Sequence, residues 1–251
     1  SNGYESMIFI AWATMLAGLI FVRKSPFALV AASILASLVL MVAHMSWMNP
    51  EITNLVPVLK SYWLTIHVSV IITSYGFLGI GMVLGLINLF LYMMKTVRNQ
   101  KRLQDQINVL TDINEMTLIL GLYFITIGTF LGAVWANESW GRYWGWDPKE
   151  TWALITCLVY VFITHMRWIP GLKGPFALNL ASVVGFSSVL MTYFGVNYYL
   201  SGLHSYGKGV ADGVDPAVPA SILVLAGLII WAYVKDNKYQ LQHTETESED
   251  S

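Results

Sequence analysis

Seven stretches of this chain are long, apolar and for the most part free of Asp, Glu, Lys and Arg. That pattern restricts the fold more than any other feature. The stretches are Met7–Val22, Phe27–Met48, Trp63–Met94, Met116–Trp135, Thr151–Met166, Phe176–Leu200 and Ala217–Val234. A helix crossing the ~30 Å hydrocarbon core needs about 20 apolar residues. In lipid the backbone must satisfy its own hydrogen bonds, so runs of this kind read as helices. Met7–Val22 and Thr151–Met166 are short and borrow length from their polar flanks, whereas Trp63–Met94 is long enough to tilt or project. The expectation is an all-α polytopic membrane bundle of about seven transmembrane helices.

Basic residues orient it. Ten follow the odd-numbered runs: Arg23, Lys24, Lys95, Arg98, Lys101, Arg102, Arg167, Lys173, Lys235 and Lys238. Only Lys60, Arg142, Lys149 and Lys208 fall on the other side. The N-terminus is therefore expected outside and the C-terminus in the cytoplasm. Residues 1–243 read as one membrane domain, and the acidic 244–251 segment as a disordered cytoplasmic tail. Of the 251 residues 56% are hydrophobic and only 12% charged, with a formal charge of -1. A soluble domain has about 25% charged residues, so a soluble enzyme, a disordered chain and a nucleic-acid binder are excluded. The single cysteine, Cys157, rules out an internal disulfide and a Cys-x-x-Cys pair.

The expected outside loops are Asn49–Tyr62, Ala136–Glu150 and Ser201–Pro216. The middle one lies within a segment holding five Trp in 18 residues, Trp135 to Trp152, together with Arg142 and Tyr143. Trp is enriched at membrane interfaces in any case, and an interfacial belt is the plain reading. A belt, however, draws on many helices, and these indoles crowd into one loop. A flat indole platform beside cations suits a large planar ligand bearing carboxylates, and haem is such a ligand. Arg142, inside the loop, is the leading cation for a propionate, ahead of Lys60, Lys149 and Lys208. Asp147-Pro-Lys-Glu150 is a helix-start pattern: Asp147 as N-cap, Pro148 as first helical residue, Glu150 as its reciprocal partner.

Five histidines are present. His67, near the outer end of the third run, and His204, in Ser-Gly-Leu-His-Ser-Tyr-Gly, share the Trp-loop side. Lone histidines are usually structural, but a pair flanking an aromatic platform suggests iron ligation by neutral imidazole. His165 lies ~20 Å deeper along its helix, counting 1.5 Å per residue from Trp152. An ionisable residue at that depth is a functional candidate. Arg167 beside it marks the cytoplasmic boundary or meets a propionate. His44, among Met41, Met45 and Met48, reads as packing, and His243 in the tail as idle.

The segment Trp140-Gly-Arg142-Tyr143-Trp144-Gly-Trp146-Asp147-Pro-Lys-Glu-Thr-Trp152 resembles the WWD motif of haem-handling membrane proteins, a family that includes CcsA (also called ResC), CcmC and CcmF. The extension through Asp-Pro-Lys-Glu-Thr-Trp to His165-Met-Arg most resembles CcsA, and the similarity spans His67 to about Val234.

The resemblance implies a cytochrome c synthase that carries haem b across the inner or plasma membrane and joins it by thioether bonds to the Cys-x-x-Cys-His motif of apocytochrome c. By position it makes His67 and His204 the ligands of an outer haem at the WWD segment, with Trp140, Trp144, Trp146, Asp147, Arg142 and Tyr143 around it. His165 then matches the histidine of an inner haem site. It also implies a CcsB-type partner, which supplies the second inner histidine, and an external thiol-reducing system. No second deep histidine is evident here. That fits either the C-terminal part of a fused CcsB–CcsA polypeptide or one subunit of a pair. The alternative is a haem-delivery subunit without lyase activity, as in CcmC.

Overall fold

The computed structural model describes residues 3–45, 61–200, 202–203 and 216–249, with side chains omitted at 217 and 238–249. It is a helical bundle. The helices are α1 (Gly3–Phe21), α2 (Pro26–Ala43), α3 (Tyr62–Met93), α4 (Gln100–Trp140), α5 (Pro148–His165), α6 (Pro175–Leu190), α7 (Val196–Tyr199) and α8 (Ala217–Glu249). A π-helical turn, Met191–Gly195, joins α6 to α7, so Pro175–Tyr199 acts as one span. Among the described residues, six helices are long and apolar enough to cross a membrane. The fifth run forms α5, which has 18 residues but begins with Pro-Lys-Glu and so lacks the mean apolarity of the others.

Two boundaries differ from the sequence reading. The fourth run is only the second part of α4, whose first turns are polar: the 41 residues extend about 60 Å at 1.5 Å each, well beyond the membrane core. The Trp segment is also less of a loop than expected. Residues 136–140 finish α4 and Pro148–Glu150 begin α5, leaving only seven linking residues, 141–147. At the C-terminus, α8 extends to Glu249.

α3 is the central element, packing on α1, α2, α4, α6 and α8. One core layer joins α1 to α4 through residues such as Phe21, Leu35, Phe77, Leu84 and Ile113. A second, built on Leu78, Leu118, Ile125, Tyr160 and Ile163, joins α3 to α6. Between α3, α4 and α6 lies a fully buried polar cluster. Asn88 and Asn114 each donate from Nδ2 to Asn179 Oδ1 (2.8 and 2.9 Å), and Asn179 Nδ2 donates to Thr111 Oγ1 (2.7 Å). Apolar contact alone discriminates poorly between helices in lipid, and such side-chain bonds fix which faces meet.

At the end of the bundle away from the Trp segment, Lys95 Nζ donates to Asp236 Oδ1 (3.0 Å) and to Gln104 Oε1 (2.7 Å) and lies 4.3 Å from the Tyr92 ring centroid. Both partners are nearly fully buried. This pair, with the small apolar cluster around Leu89, Tyr92 and Ala232, ties α8 to the rest of the molecule; nearly all of its remaining apolar length is exposed.

Candidate functional site

The local sequence dictates how α4 turns into α5. Gly141 ends α4 with φ 70°, a left-handed conformation that suits glycine, and its N–H returns to the Asn137 carbonyl (2.9 Å). Asp147 then starts α5 with the expected capping box. Its Oδ1 accepts from Lys149 N (3.0 Å), while Glu150 Oε2 accepts from Asp147 N (3.2 Å). Glu150 does more than complete the box. The same oxygen accepts from Gly145 N (2.7 Å), and its Oε1 lies 3.5 Å from Arg142 Nη1. One carboxylate thus gathers the linker onto the helix start. Asp147 also reaches across: its Oδ2 accepts from Leu203 N (2.7 Å), pinning the segment after α7 to the Trp linker. That second bond had no signal in the sequence.

The indoles do not form a flat platform. Trp135 and Trp140 meet at 66° with centroids 4.7 Å apart, and Trp144 and Trp146 at 89° and 5.7 Å. Edge-to-face packing suits their quadrupoles better than a coplanar array. Trp135 is buried, Trp144 half-buried, and Trp146 is 70% exposed. Trp146 also has φ 57°, the one non-glycine in the described residues with positive φ. A bulky side chain there is a genuine backbone outlier, and such outliers concentrate at ligand and switch sites.

Beneath this linker is a cavity of ≈ 200 Å³. Its walls include His67, Tyr75, Trp135, Tyr143, Trp144, Lys149 and Tyr193. His67 Nδ1 is 2.7 Å from the Gly128 carbonyl oxygen. A carbonyl only accepts, so Nδ1 carries the proton and the neutral ring keeps its lone pair on Nε2. This is how metal-binding imidazoles are commonly oriented. A glycine makes the placement possible: a Cβ on Gly132 would stand 2.6 Å from His67 Cε1. The π-helical turn brings Thr192 and Tyr193 to the same cavity, and π turns recur at functional sites.

Of the residues singled out from sequence, the structure brings His67, Tyr143 and Trp144 together at the cavity. Asp147 and Arg142 organise the linker behind it; Arg142 lies over Trp140 (5.7 Å) and is paired with Glu150. Trp140 and Trp146 flank the cavity without lining it. His204, Lys60 and Lys208 lie outside the described residues. His165 is the last residue of α5, so the 18-residue helix sets it about 27 Å along from the linker. It is exposed and packs edge-on against Trp168 (4.9 Å). Its Nδ1 is 2.7 Å from the Val161 carbonyl oxygen, which fixes the same tautomer as in His67. Arg167 is held by Glu115 (2.6 Å). His44 is the exposed C-cap of α2, away from the cavity.

Sequence reasoning passed over Tyr75, Tyr193 and Gly132, and ranked Lys149 behind Arg142 as a candidate cation for a propionate, although Lys149 lines the cavity and Arg142 does not. The spacing Gly128-x-x-x-Gly132 in an otherwise bulky apolar run is the one sequence sign of a close approach there.

The family model described as cytochrome C assembly protein matches residues 1–204. The chain belongs to the cytochrome c assembly family. It is similar to Protein NrfI of Wolinella succinogenes, 54% identical over 209 residues, covering 83% of this chain and 23% of that protein. It is also similar to the cytochrome c biogenesis protein CcsA of Chlamydomonas reinhardtii, 42% identical over 216 residues (82% of this chain, 60% of that one). The CcsA of Prochlorococcus marinus is 35% identical over 237 residues (82% and 75%). The chain therefore spans only part of the length of these cytochrome c assembly relatives.

Proposed function

We propose that this chain is the CcsA-like part of a cytochrome c synthase, a membrane haem lyase that moves haem b to the outer face of the inner or plasma membrane and joins it to apocytochrome c. The observation that carries the reading is His67: an imidazole with its tautomer fixed, seated in an aromatic-walled cavity under the WWD linker. The cavity is smaller than the ~300–1,000 Å³ of most small-molecule sites, so it suits one edge of a porphyrin, with the remainder against the linker. His67 offers Nε2 to iron from one side and His204 provides the second imidazole. Trp144 and Tyr143 cover the ring, and Trp140 and Trp146 extend the apolar surround. Asp147, Glu150 and Arg142 hold the linker in shape.

The chain's contribution is orientation and protection, since the vinyl groups carry the chemistry. Each cysteine sulfur of the incoming Cys-x-x-Cys-His bonds to a vinyl carbon, and its thiol proton goes to the neighbouring vinyl carbon. The addition is redox-neutral, so reductant is needed only beforehand, to keep the thiols reduced. The histidine of the acceptor motif replaces one of the two imidazoles and frees the product. At the opposite end His165 receives haem together with a ligand from a CcsB-type subunit or a fused N-terminal region.

Absorption spectroscopy of the chain purified with that partner tests this. A Soret band is expected in wild type, weakened in His67→Ala and His204→Ala. A well-folded preparation without haem overturns the reading. Co-expression with an apocytochrome separates synthase from delivery subunit, because only a synthase yields covalently attached haem.

A further inference from the structure

Lys149 lines the His67 cavity, and its side chain sits in a setting that calls for an anion. Its Nζ donates to Asn197 Oδ1 at 3.4 Å, a long bond to a neutral group. Among the described residues no carboxylate closes an ion pair with it. Asp147 is near enough to favour the charged amine, but burial outweighs this and pushes the Lys149 pKa below its ordinary value. Both Asp147 oxygens already accept from backbone N–H groups, of Lys149 and Leu203. The other charged group on the cavity wall, Glu150, is taken up by Arg142 and the linker amides. Arg142, the more obvious cation by sequence, is thereby committed and does not line the cavity.

An ammonium drawn largely out of water, as the half-buried Lys149 is, is costly unless paired and hydrogen-bonded. A ligand carboxylate entering this cavity supplies the missing partner through a charge-assisted bond. We propose that Lys149 is the carboxylate-docking residue of the His67 cavity and takes a haem propionate. The assignment rests on the haem reading above and deepens it. Two fixed points, Nε2 of His67 for the iron and Nζ of Lys149 for a ring substituent, would set the rotation of the porphyrin about its iron axis. That rotation decides which edge faces an incoming peptide. Lys149 is a positioning and specificity residue in this scheme and takes no part in bond making.

The test compares iron protoporphyrin IX with its dimethyl ester, which keeps the iron and vinyl groups but has no carboxylates. Each is titrated by Soret absorbance into the full chain in detergent, as wild type, Lys149→Met and Lys149→Arg. Wild type is expected to favour the free acid over the ester by about 10- to 100-fold, the range for a hydrogen bond to a charged group. Lys149→Met is expected to lose that preference while binding the ester as wild type does, and Lys149→Arg to keep most of it. Taking the ratio within each protein cancels detergent partitioning. Wild type that binds both porphyrins equally overturns the assignment without need of any variant. So does a Lys149→Met protein that still discriminates. Wild type that binds neither overturns the haem reading and this inference with it.

Discussion

His67 and His165 are prepared alike and housed differently. In each, Nδ1 lies 2.7 Å from a backbone carbonyl oxygen, Gly128 for one and Val161 for the other, so Nδ1 carries a proton in both rings and Nε2 is the nitrogen that can bind a metal. The carbonyl that fixes His67 belongs to a different helix, and a glycine on that helix makes room for the ring. The carbonyl that fixes His165 is four residues back in its own helix, and the ring is exposed beside Trp168. The first is a site built by tertiary packing. The second is a side chain oriented by its own helix, exposed beside a single indole. The closed packing of Leu78, Leu118, Tyr160 and Ile163 between α3, α4, α5 and α6 separates these two regions.

The sharpest way to break the comparison is to remove each ring. His67→Ala is expected to weaken haem binding at the Trp end beyond the ~10–100-fold that loss of a ligand's supporting hydrogen bond costs. His165→Ala is expected to lower the haem reaching that end without changing the affinity measured there. Soret titration of the isolated variants separates the two. Equal affinity losses would show that one site, not two, is being read.

Gly132→Ala tests the housing alone. The added methyl must displace the His67 ring, so a loss of about 10- to 100-fold is expected at the Trp end with His165 untouched; overpacking of this kind costs ~1–3 kcal/mol. An unchanged Soret band shows that the imidazole does not need the space. Asp147→Ala should cost about 1–2 kcal/mol through the helix cap, with a smaller addition from the bond to Leu203. Protease cleavage near residues 200–203 should accelerate in this variant while cleavage near His165 stays constant. Unaltered cleavage near 203 shows that the cross-bond is dispensable.

The smallest effect is pH-dependent. Burial lowers the Lys149 pKa, so the unfolded chain binds this proton more tightly than the folded one. Its charged form opposes folding below the folded pKa. That penalty is relieved as pH rises through the folded pKa towards the ordinary value of 10.5. Wild type should therefore gain thermal stability relative to Lys149→Met on going from neutral to alkaline pH. A pH-independent difference between the two counts against this account of the burial.

The helices were legible because charge-free runs leave the backbone no other arrangement in lipid. The helix start at Asp147 was legible because Asp-Pro-Lys-Glu satisfies its amides locally. What turned inward was not. Lipid is as apolar as the protein core, so a membrane helix shows no polar stripe to mark its outer face. Nothing in the spacing of Tyr75 or Tyr193 announces the cavity, and nothing in the charge count separates Lys149 from Arg142. The packing of the indoles was hidden for the same reason: five Trp in one segment say that aromatic rings gather there, not at what angles they meet. The polar start of α4 was missed because a hydropathy run ends where the charges begin, although the helix does not.

The pair between Lys95 and Asp236 bears on how the chain is assembled. Translation delivers α3 before α8. Until Asp236 arrives, Lys95 has no counter-charge in the place it comes to occupy, and a buried charge missing its partner costs about 3–5 kcal/mol. A polypeptide that stops short of Asp236 therefore carries a built-in defect at the far end of its central helix. Docking of α8 thus supplies the counter-charge that the far end of α3 is built to receive.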